Sequence, residues 1–403
     1  MVTTFYPPYH FGGDAIYIYR LSNELARRGH YVDVIHCKDS YFLLQTDALK
    51  DGYPNHPNVN VYGMKSRVGL LSPLLTQQTG MPVLKRRFIK SKLEETGYDV
   101  IHYHNMSLIG ITALTYGNAI KLYTTHEHWL ICPMHVLWKF NRAVCQKRSC
   151  FLCTLAAKRP PQLWRYTGML EKILQNIDTF ISPSRFTKRK HLEEGLNIPI
   201  LHIPYFLPQA NKTTANNESD EPSPNNRPFF LFVGRLEKIK GLQNLIPVFK
   251  KLADYDLLVA GDGAYRNELQ KTAEDTSNIK FLGRLSYEEL QKLYQKALAV
   301  IVPSICYEVF GIIIIEAFSL KTPVIVNKFG AMPEVVEDSG GGFVYNNEDE
   351  LVTAMEKLAK DQNLRTTLGE KGYQAYLRYW SEDAHIERYL NLVKQLQHER
   401  KKI

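Results

Sequence analysis

Residues Val302–Phe318, reading VPSICYEVFGIIIIEAF, decide which fold the sequence predicts. They follow the apolar run Leu298–Val302, which is typical of a buried strand, and carry two acids, Glu308 and Glu316, on either side of Gly311. If a helix begins near Gly311, both carboxylates lie beyond the carboxyl end of a strand, where open α/β sheets bind ligands. The free amides of the helix start suit phosphate oxygens, and the carboxylates suit sugar or ribose hydroxyls. The stretch therefore predicts a sugar-nucleotide site.

The secondary structure of Ile312–Ile315 is open at this point. Four β-branched residues in a row favour a strand by propensity. The distance from Gly311 to Pro323 is nevertheless long enough for a helix, and a helix buried on nearly all faces has the same apolar pattern. The pattern alone does not decide between the two.

The bulk composition indicates a folded protein with two domains. A chain of 403 residues is too long for one ordinary core, and a content of 44% hydrophobic and 23% charged residues excludes general disorder. The net charge of +9 favours an anionic partner, which by this criterion is a nucleotide, a nucleic acid or an anionic lipid. No apolar run approaches the roughly 18 to 20 residues of a spanning helix. The N-terminus lacks a signal-peptide pattern, so we expect a cytoplasmic protein.

Alternating apolar and amphipathic segments predict parallel sheets built from βαβ units. The predicted strands of the first half are Tyr31–His36, Val100–His104, Ile120–Thr124 and Thr179–Ser182, and its first helix spans Ile16–Gly29. Those of the second half are Phe229–Val233, Leu257–Ala260, Ile279–Leu282, Leu298–Val302 and Pro323–Val326, with helices that include Tyr287–Gln295 and Asp349–Lys360. Met1–Thr4 reads as the second half of a strand, which raises the hypothesis that the natural start lies upstream.

A glycine-bearing turn, Gly234–Gly241, follows the predicted strand Phe229–Val233 and reads GRLEKIKG. Its cations Arg235 and Lys240 suit a diphosphate, the arginine as a bidentate fork and the lysine as a mobile point charge. The alternative is two solvated surface cations. The first interpretation gains weight because the turn should end on the same sheet edge as Glu308.

Two further turns belong to this edge. Gly261–Gly263, reading GDG, is more simply a strand-to-helix connection than a ligand contact. Gly283–Arg284 lies where backbone groups could contact a nucleobase, although its spacing is weak evidence.

The joint pattern resembles the retaining family 4 glycosyltransferases of the GT-B fold. The second half is similar over GRLEKIKG, VAGDG, FLGRLS, VPSICYEVFGIIIIEAF, KTPVIV and FGAMPEVV, in the family's order. The first half is similar over YPPYHFGGDAIYIYRLSNELARRGHYVDVI, and YWSEDAHIERYL resembles the family's closing segment. The resemblance implies an α/β protein with two Rossmann-like doubly wound domains facing a central cleft, and a C-terminal helix that returns to the first domain.

The domain boundaries follow from this comparison and from composition. The polar stretch 208–228 is rich in Asn, Ser, Thr and Pro and is typical of a linker. We predict an acceptor-side domain over 1–207 with a cysteine-rich insertion at 132–153, a donor domain over 229–379, and a returning helix over 380–403.

The resemblance also implies roles for individual residues. Arg235 and Lys240 match the cations that neutralise the leaving diphosphate. Glu308 matches the acid nearest the transferred sugar, Glu316 the acid that holds the ribose, and His126 a histidine of the sugar pocket. The other implied donor-binding positions are Gly12, Gly13, Gly234, Arg284, Phe310, Gly311 and Ile312. Three residues depart from the usual pattern, because Val309 replaces a small residue and Lys321 and Ala331 replace glycines.

The implied activity is that of a hexosyltransferase acting on a UDP- or GDP-sugar. The acceptor would be a hydroxyl of a saccharide or lipid-linked saccharide, in cell-surface polysaccharide or glycolipid biosynthesis. Two protein cations make a catalytic metal unnecessary, so no catalytic cofactor is expected. The alternative is a catalytically silent nucleotide-sugar-binding scaffold subunit of a glycan-assembly complex. Nucleic acid is not an expected partner, because the cations are dispersed rather than interleaved with aromatics along one face.

Four cysteines, Cys132, Cys145, Cys150 and Cys153, fall in one short segment. The Cys150-x-x-Cys153 pair has chelating spacing, and two more thiols complete a tetrahedral set. The segment predicts a structural zinc, and the alternative is four reduced thiols in a partly buried insertion.

The segment Leu84–Leu93, reading LKRRFIKSKL, mixes cations with apolar residues. Most such segments are solvated helix faces, and a minority lie on anionic lipid. The second interpretation predicts peripheral contact with the inner face of the plasma membrane.

Overall fold

The computed structural model describes residues 1–44, 52–208 and 227–402, which form two compact units. Unit 1 comprises Met1–Tyr205 together with His385–Ile403, and unit 2 comprises Phe206–Ala384. Most of the predicted linker, residues 209–226, lies outside the described residues. In the described ranges, no helix has both the length and the apolarity to cross a lipid bilayer.

Unit 1 is organised around parallel strands. Its strands are β1 (Val32–Cys37), β2 (Val59–Met64), β3 (Val100–Tyr103), β4 (Ile120–Thr124), β7 (Thr179–Ser182) and β8 (Ile200–His202), and a short antiparallel hairpin pairs β5 (Trp138–Lys139) with β6 (Ala143–Val144). The strands pair as β1-β2 and as β3-β4-β7-β8. Val2 bridges Ile35 of β1 and Tyr103 of β3, so the first residues lie between the two groups of strands.

Within the described residues, unit 1 contains seven α-helices from the first half of the chain and most of the last helix. They are α1 (Gly13–Arg27), α2 (Lys38–Leu44), α3 (Leu71–Thr79), α4 (Arg86–Glu95), α5 (Cys150–Ala156), α6 (Met169–Leu174) and α7 (Arg185–Glu193). The last helix of the chain, α15 (Glu382–Arg400), contributes its residues from His385 onward to unit 1. Ile386 and Tyr389 of α15 are buried, and the Tyr389 hydroxyl lies 3.2 Å from His102 Nδ1 on β3. The predicted return of the C-terminal helix to the first domain is therefore confirmed.

Unit 2 is a single sheet of six parallel strands with the order β11-β10-β9-β12-β13-β14. The strands are β9 (Phe229–Val233), β10 (Asp256–Ala260), β11 (Ile279–Gly283), β12 (Val300–Val302), β13 (Val324–Asn327) and β14 (Gly342–Tyr345). The helices are α8 (Ile246–Lys251), α9 (Arg266–Thr272), α10 (Tyr287–Lys296), α11 (Ile312–Ser319), α12 (Met332–Ser339), α13 (Glu348–Lys360) and α14 (Gln362–Ala375). Because successive strands run outward from β9 on one side and from β12 on the other, the strand order reverses between β9 and β12.

The nine strands predicted between Tyr31 and Val326 are all present, with bounds within two residues of those expected, whereas Met1–Thr4 forms only the isolated bridges of Val2 rather than a strand. The pattern missed β2, β8, β14 and the β5–β6 hairpin. The strands β5, β6, β8 and β14 have two to four residues each, and β14 follows Gly340–Gly341, where turn residues obscure any apolar run, whereas β2 has six residues of which only Val59 and Met64 are buried.

The Ile312–Ile315 stretch is helical, as part of α11. Ile314 and Ile315 have no exposed surface, and Phe318 stacks on Trp380 with ring centroids 6.0 Å apart. A Cβ on Gly372 of α14 would stand 2.3 Å from Phe318, so this glycine permits the close approach of the two helices. Burial on several faces therefore overrides the β propensity of the isoleucines.

Candidate active site

The loops that follow β9 and β12 pack against each other where the strand order reverses. Gly241 ends the first loop with φ 76°, and a Cβ there would stand 2.0 Å from the Pro303 carbonyl oxygen in the second. The Ile305 amide also donates to the Ile239 carbonyl at 2.9 Å. The predicted GRLEKIKG turn and the Glu308 loop thus form one surface at the carboxyl edge of the sheet.

An ion pair between Lys240 and Glu308 occupies this surface. Lys240 Nζ lies 2.6 Å from Glu308 Oε1, and the Ser304 hydroxyl donates to the same oxygen at 2.8 Å. The two charged side chains retain 23% and 18% exposure, so the pair is reached from solvent. Sequence reasoning missed Ser304, whose role depends on the loop fold rather than on a motif.

Both partners of this pair are charged at neutral pH. Burial by itself would raise the pKa of Glu308, but the Lys240 ammonium and the Ser304 hydroxyl hold that pKa below its usual value. Burial would lower the pKa of Lys240, but the Glu308 carboxylate raises it instead. An entering anion therefore meets a fixed ammonium that already has one carboxylate partner.

Arg235 lies in the same loop as Lys240 but points to a different partner. Its side chain is 56% exposed, and Nη1 lies 2.8 Å from Glu237 Oε1. The guanidinium is still near enough to contribute to the lowered pKa of Glu308. The two predicted cations therefore share one loop without sharing one contact.

Glycine turns from neighbouring strands hold these loops in place. A Cβ on Gly330, which has φ 74°, would stand 2.4 Å from the Glu308 amide nitrogen, and the Ala331 amide donates to the Glu308 carbonyl at 2.9 Å. A Cβ on Gly261 would stand 1.9 Å from the Gly234 carbonyl oxygen. The GDG turn thus braces the Gly234 loop, and Gly330 braces Glu308 itself. Gly330 was not among the predicted site residues.

Glu316 lies in the second turn of α11 and has a partner from α10. The hydroxyl of Tyr294, a fully buried residue, donates to Glu316 Oε2 at 3.0 Å. Gly311 caps α11 with φ 100°, and Ile312 is the first helical residue, so the predicted helix start is confirmed. The Phe310 ring is buried against Trp380, with centroids 6.4 Å apart, so its side chain serves the core.

Two other predicted features of unit 2 are Arg284 and Lys321. Arg284 is exposed and follows β11, the edge strand, with β10 between β11 and β9. Lys321 has φ 58°, the left-handed conformation that favours the glycine it replaces.

Three of the predicted residues belong to unit 1. Gly13 is the first residue of α1 and Gly12 is its N-cap residue, and the side-chain amide of Asn105 donates to the Asp14 carboxylate in the first turn at 3.3 Å. His126 is buried after β4, with Nε2 2.9 Å from His104 Nδ1 and Nδ1 2.6 Å from the Tyr205 hydroxyl. Burial lowers the pKa of His126 to about 4, so its imidazole is neutral at physiological pH.

The four clustered cysteines are all free thiols and line one small cavity in unit 1. Burial raises the pKa of Cys132 to about 11 and also raises the pKa of Cys145 and of Cys150. No group of three or more His, Cys, Asp or Glu side chains in the described ranges is arranged to hold a metal ion. The predicted zinc site is therefore not a formed coordination sphere in this structure.

Family models match most of the chain. One described as Glycosyltransferase Family 4 matches residues 11–205, and one described as Glycosyl transferases group 1 matches residues 214–375.

Relatives and solved structures extend over nearly the whole chain. An uncharacterized glycosyltransferase of Methanocaldococcus jannaschii is 28% identical over 91% of this chain and 90% of its own length. The O-antigen chain mannosyltransferase C of Escherichia coli is 24% identical over 96% and 95%. Sucrose-phosphate synthase from Thermosynechococcus elongatus superposes with a TM-score of 0.74 at 21% identity, covering 99% and 98%. Anabaena HepE in complex with UDP superposes with a TM-score of 0.66 at 15% identity, covering 98% of each chain.

Proposed function

The chain belongs to the family 4 glycosyltransferases of the GT-B fold, and we propose that it transfers a sugar from a nucleotide-diphosphate donor to a hydroxyl acceptor with retention of configuration. The observation that carries this proposal is the Lys240–Glu308 pair, 2.6 Å apart at the point where the strand order reverses. Sheets of this kind bind ligands at such a point. A fixed ammonium there suits the charge that a leaving diphosphate develops.

The donor's parts correspond to the chemistry of these residues. Lys240 and Arg235 bind the diphosphate, and the first backbone amides of α11 donate to its oxygens. The ribose hydroxyls donate to Glu316, which the Tyr294 hydroxyl holds in place. Glu308, held by Ser304 and Lys240, faces the hydroxyls of the transferred sugar.

The reaction breaks the bond between the anomeric carbon and the diphosphate oxygen and forms a bond to the acceptor oxygen on the same face. The leaving diphosphate oxygen takes the acceptor's proton, so atoms and charge balance. Lys240 and Arg235 stabilise the negative charge that grows on the diphosphate. Losing one such preorganised group typically lowers turnover by about 10²–10³-fold, or ~3–4 kcal/mol of barrier.

The test begins with a panel of UDP- and GDP-sugars, ranked by protection against thermal unfolding, since binding stabilises the folded chain by mass action. The best donor is then used to compare sugar transfer or donor hydrolysis by wild type, Lys240→Ala and Lys250→Ala. The control lysine pairs with Asp275 at 2.7 Å on another face of unit 2, and its side chain is 40% exposed.

We expect a turnover loss of about 10²–10³-fold in Lys240→Ala and little change in Lys250→Ala. Equal activity in the two variants would contradict the assigned role of Lys240. Donor binding without turnover in wild type would favour the scaffold alternative. Detection of the inverted anomer by NMR of the product would refute retention.

We further propose that the acceptor is a saccharide or lipid-linked saccharide in polysaccharide or lipopolysaccharide assembly, reached by peripheral contact of unit 1 with an anionic membrane. The mannosyltransferase among the relatives supports the first part. The second part rests on α3, where Leu71, Leu74 and Leu75 are 59%, 39% and 42% exposed. A 2.7 Å hydrogen bond from Lys85 to Ser72 joins α3 to the segment that leads into α4.

The residues of α4 carry the positive charge of this surface. Arg86, Arg87 and Lys90 are exposed on α4, together with Phe88. Aliphatic side chains beside cations match an anionic bilayer surface, which offers both acyl chains and phosphate.

Co-sedimentation with phosphatidylglycerol and phosphatidylcholine vesicles tests this contact. We expect binding to the first only, and a loss of several-fold in Leu71→Ser/Leu75→Ser. The matched control is Leu192→Ser, a change of a 42% exposed leucine on α7. Equal binding by the double variant and the control would refute the assigned surface.

A further inference from the structure

We propose that Cys132, Cys145, Cys150 and Cys153 form a structural zinc site that closes the loop after β4. The four residues come from three successive places in the fold. Cys132 precedes the β5–β6 hairpin, Cys145 directly follows β6, and the other two lie in the first turns of α5. All four line a single cavity of about 20 Å³.

The donor set fits zinc chemically. Four cysteine thiolates are one of the usual ligand sets of structural zinc, and the 150–153 spacing presents two of them from one helical turn. The cavity has room for one water-sized body, which is more than a bare zinc ion needs. Since no three of the sulfurs already stand as a coordination sphere, zinc would draw them inward into this space.

A backbone amide aimed at one of the sulfurs supplies a second observation. The Phe140 amide, in the loop between β5 and β6, donates to Cys153 Sγ at 3.3 Å. A neutral thiol is a weak acceptor, whereas a metal-bound thiolate is a strong one. Amides that surround and orient the ligand atoms are the usual outer shell of a metal site.

The backbone of the same loop is held in an unfavourable conformation. Six non-glycine residues in the described ranges have positive φ, and four of them lie here: His135, Leu137, Phe140 and Asn141. Such residues persist only where the surroundings fix them. The β5–β6 hairpin has two residues per strand, which is too little to fix a loop by itself. Buried Leu137 and Trp138 hold one part of the loop, and a metal bound by both flanks of the hairpin would add the constraint that the short hairpin does not supply.

The loop that carries the four cysteines is continuous with the segment that carries His126. It begins directly after His126 at the end of β4, and the Glu127 carboxylate binds His135 Nδ1 at 2.7 Å within it. Zinc would therefore hold in place the backbone segment that directly follows His126. The metal is structural, because all four ligand positions are protein thiolates and none remains for a substrate.

The experiment uses the full chain, expressed without a histidine tag and purified under reducing conditions. Metal content is measured by inductively coupled plasma mass spectrometry, and we expect about one zinc per chain for a closed four-thiolate site. The variant Cys145→Ser/Cys150→Ser should retain less than about a tenth of that amount, because two thiolates bind zinc far more weakly. The matched control is Cys37→Ala, a buried thiol on β1 outside the cluster, which should keep the wild-type zinc content.

A second measurement on wild type does not depend on variants that fold poorly. Replacing zinc with Co²⁺ should give sulfur-to-cobalt charge-transfer absorption and the intense visible bands of a tetrahedral site. Zinc far below stoichiometric amounts in fully reduced protein, bound iron in its place, or disulfides among these cysteines would each overturn the proposal. Full zinc content in the double variant would overturn it as well.

Discussion

Acid should unfold unit 1 of this protein before unit 2. All 13 histidines of the chain lie within the ranges 1–205 and 385–403, and none lies within 206–384. Several of them are buried, and His126 and His385 are among those with both ring nitrogens in hydrogen bonds. His385 Nδ1 donates to the Pro204 carbonyl at 2.7 Å, and its Nε2 lies 3.0 Å from the Tyr17 hydroxyl.

Burial sets the direction of the effect. It lowers the pKa of His126 and of His385 to about 4, against 6.5 for an ordinary histidine. The charge of Asp14 opposes this shift at His126 without reversing it. As the pH falls below about 6.5, these two histidines become protonated in the unfolded chain but stay neutral in the folded chain. The stability from these neutral histidines is complete above pH ~6.5 and is lost progressively toward pH ~4.

The magnitude follows from the two pKa values. At about pH 5 a histidine of the unfolded chain is almost wholly protonated, whereas one of these folded histidines is only about a tenth protonated. Because pH 5 lies roughly 1.5 units below the pKa of the unfolded histidine, each residue lowers the free energy of unfolding by about 2 kcal/mol at this pH. His126 and His385 together account for about 4 kcal/mol, a large share of the ~5–15 kcal/mol that stabilises a typical domain.

Hydrogen exchange measured by mass spectrometry resolves the two units in the intact chain. Between about pH 7.5 and pH 5, after correction for intrinsic exchange rates, opening free energies of the slowest amides should fall by at least about 4 kcal/mol in unit 1, since burial also lowers the pKa of His36 and His191 there, and by less than about 1 kcal/mol in unit 2. Equal losses in both units would refute the reasoning.

A pair of variants on α15 separates histidine titration from general acid damage. His385→Gln should be less stable than wild type near neutral pH but should lose about 2 kcal/mol less on acidification, because one titrating group is gone. His398→Gln changes an exposed residue of the same helix and should keep the wild-type pH dependence. An unchanged pH dependence in His385→Gln would contradict the assigned pKa shift.

Two further predictions concern the candidate active site, each with a matched control. Tyr294→Phe removes the 3.0 Å hydrogen bond to Glu316 and should raise the KM for the donor by about 3- to 10-fold, because a hydrogen bond of ~1 kcal/mol is lost. The control Tyr265→Phe removes a 3.0 Å hydrogen bond to the exposed Glu268 and should leave this KM unchanged. Comparable KM values for the two variants would contradict a role of Glu316 in donor binding. Gly330→Ala places a Cβ 2.4 Å from the Glu308 amide nitrogen and should lower both stability and turnover, by about 1–3 kcal/mol in unfolding free energy. The control is Gly340→Ala, because Gly340 has a similar positive φ of 60° but a Cβ there would meet no atom nearer than Lys371 at 3.7 Å. Thermal unfolding and turnover should both show a smaller loss in Gly340→Ala than in Gly330→Ala. A larger loss in Gly340→Ala would contradict the close packing of Gly330 against Glu308.

The sequence predicted the parts of the fold that depend on local pattern. Buried parallel strands are continuous apolar runs, so β4, β7 and β9 have the expected bounds. The helical state of Ile312–Ile315 was undecided from residues alone, because it depends on burial against distant partners such as Trp380. The resemblance to known glycosyltransferases, rather than the pattern, identified Gly311 as the helix start.

The candidate site was predicted in its motifs but not in its contacts. Lys240 and Glu308 are 68 residues apart, and nothing in either segment indicates that their side chains meet at 2.6 Å. Tyr294 and Ser304 were missed for the same reason, since an ordinary helical tyrosine and a loop serine carry no recognisable spacing. The two predicted cations were also given one common target, whereas Arg235 pairs with Glu237 in this structure.

The discontinuous make-up of unit 1 has a consequence for biosynthesis. Its core includes Tyr389 and Ile386, which the ribosome adds after the whole of unit 2. Until then, His102 lacks its stacked partner Tyr389, whose ring lies 5.5 Å away in the finished protein, and Tyr17 lacks His385. The half that is made first is therefore completed last. A nascent chain that has passed residue 205 still exposes the surface that α15 covers in the finished protein, and we expect that surface to favour aggregation at this stage.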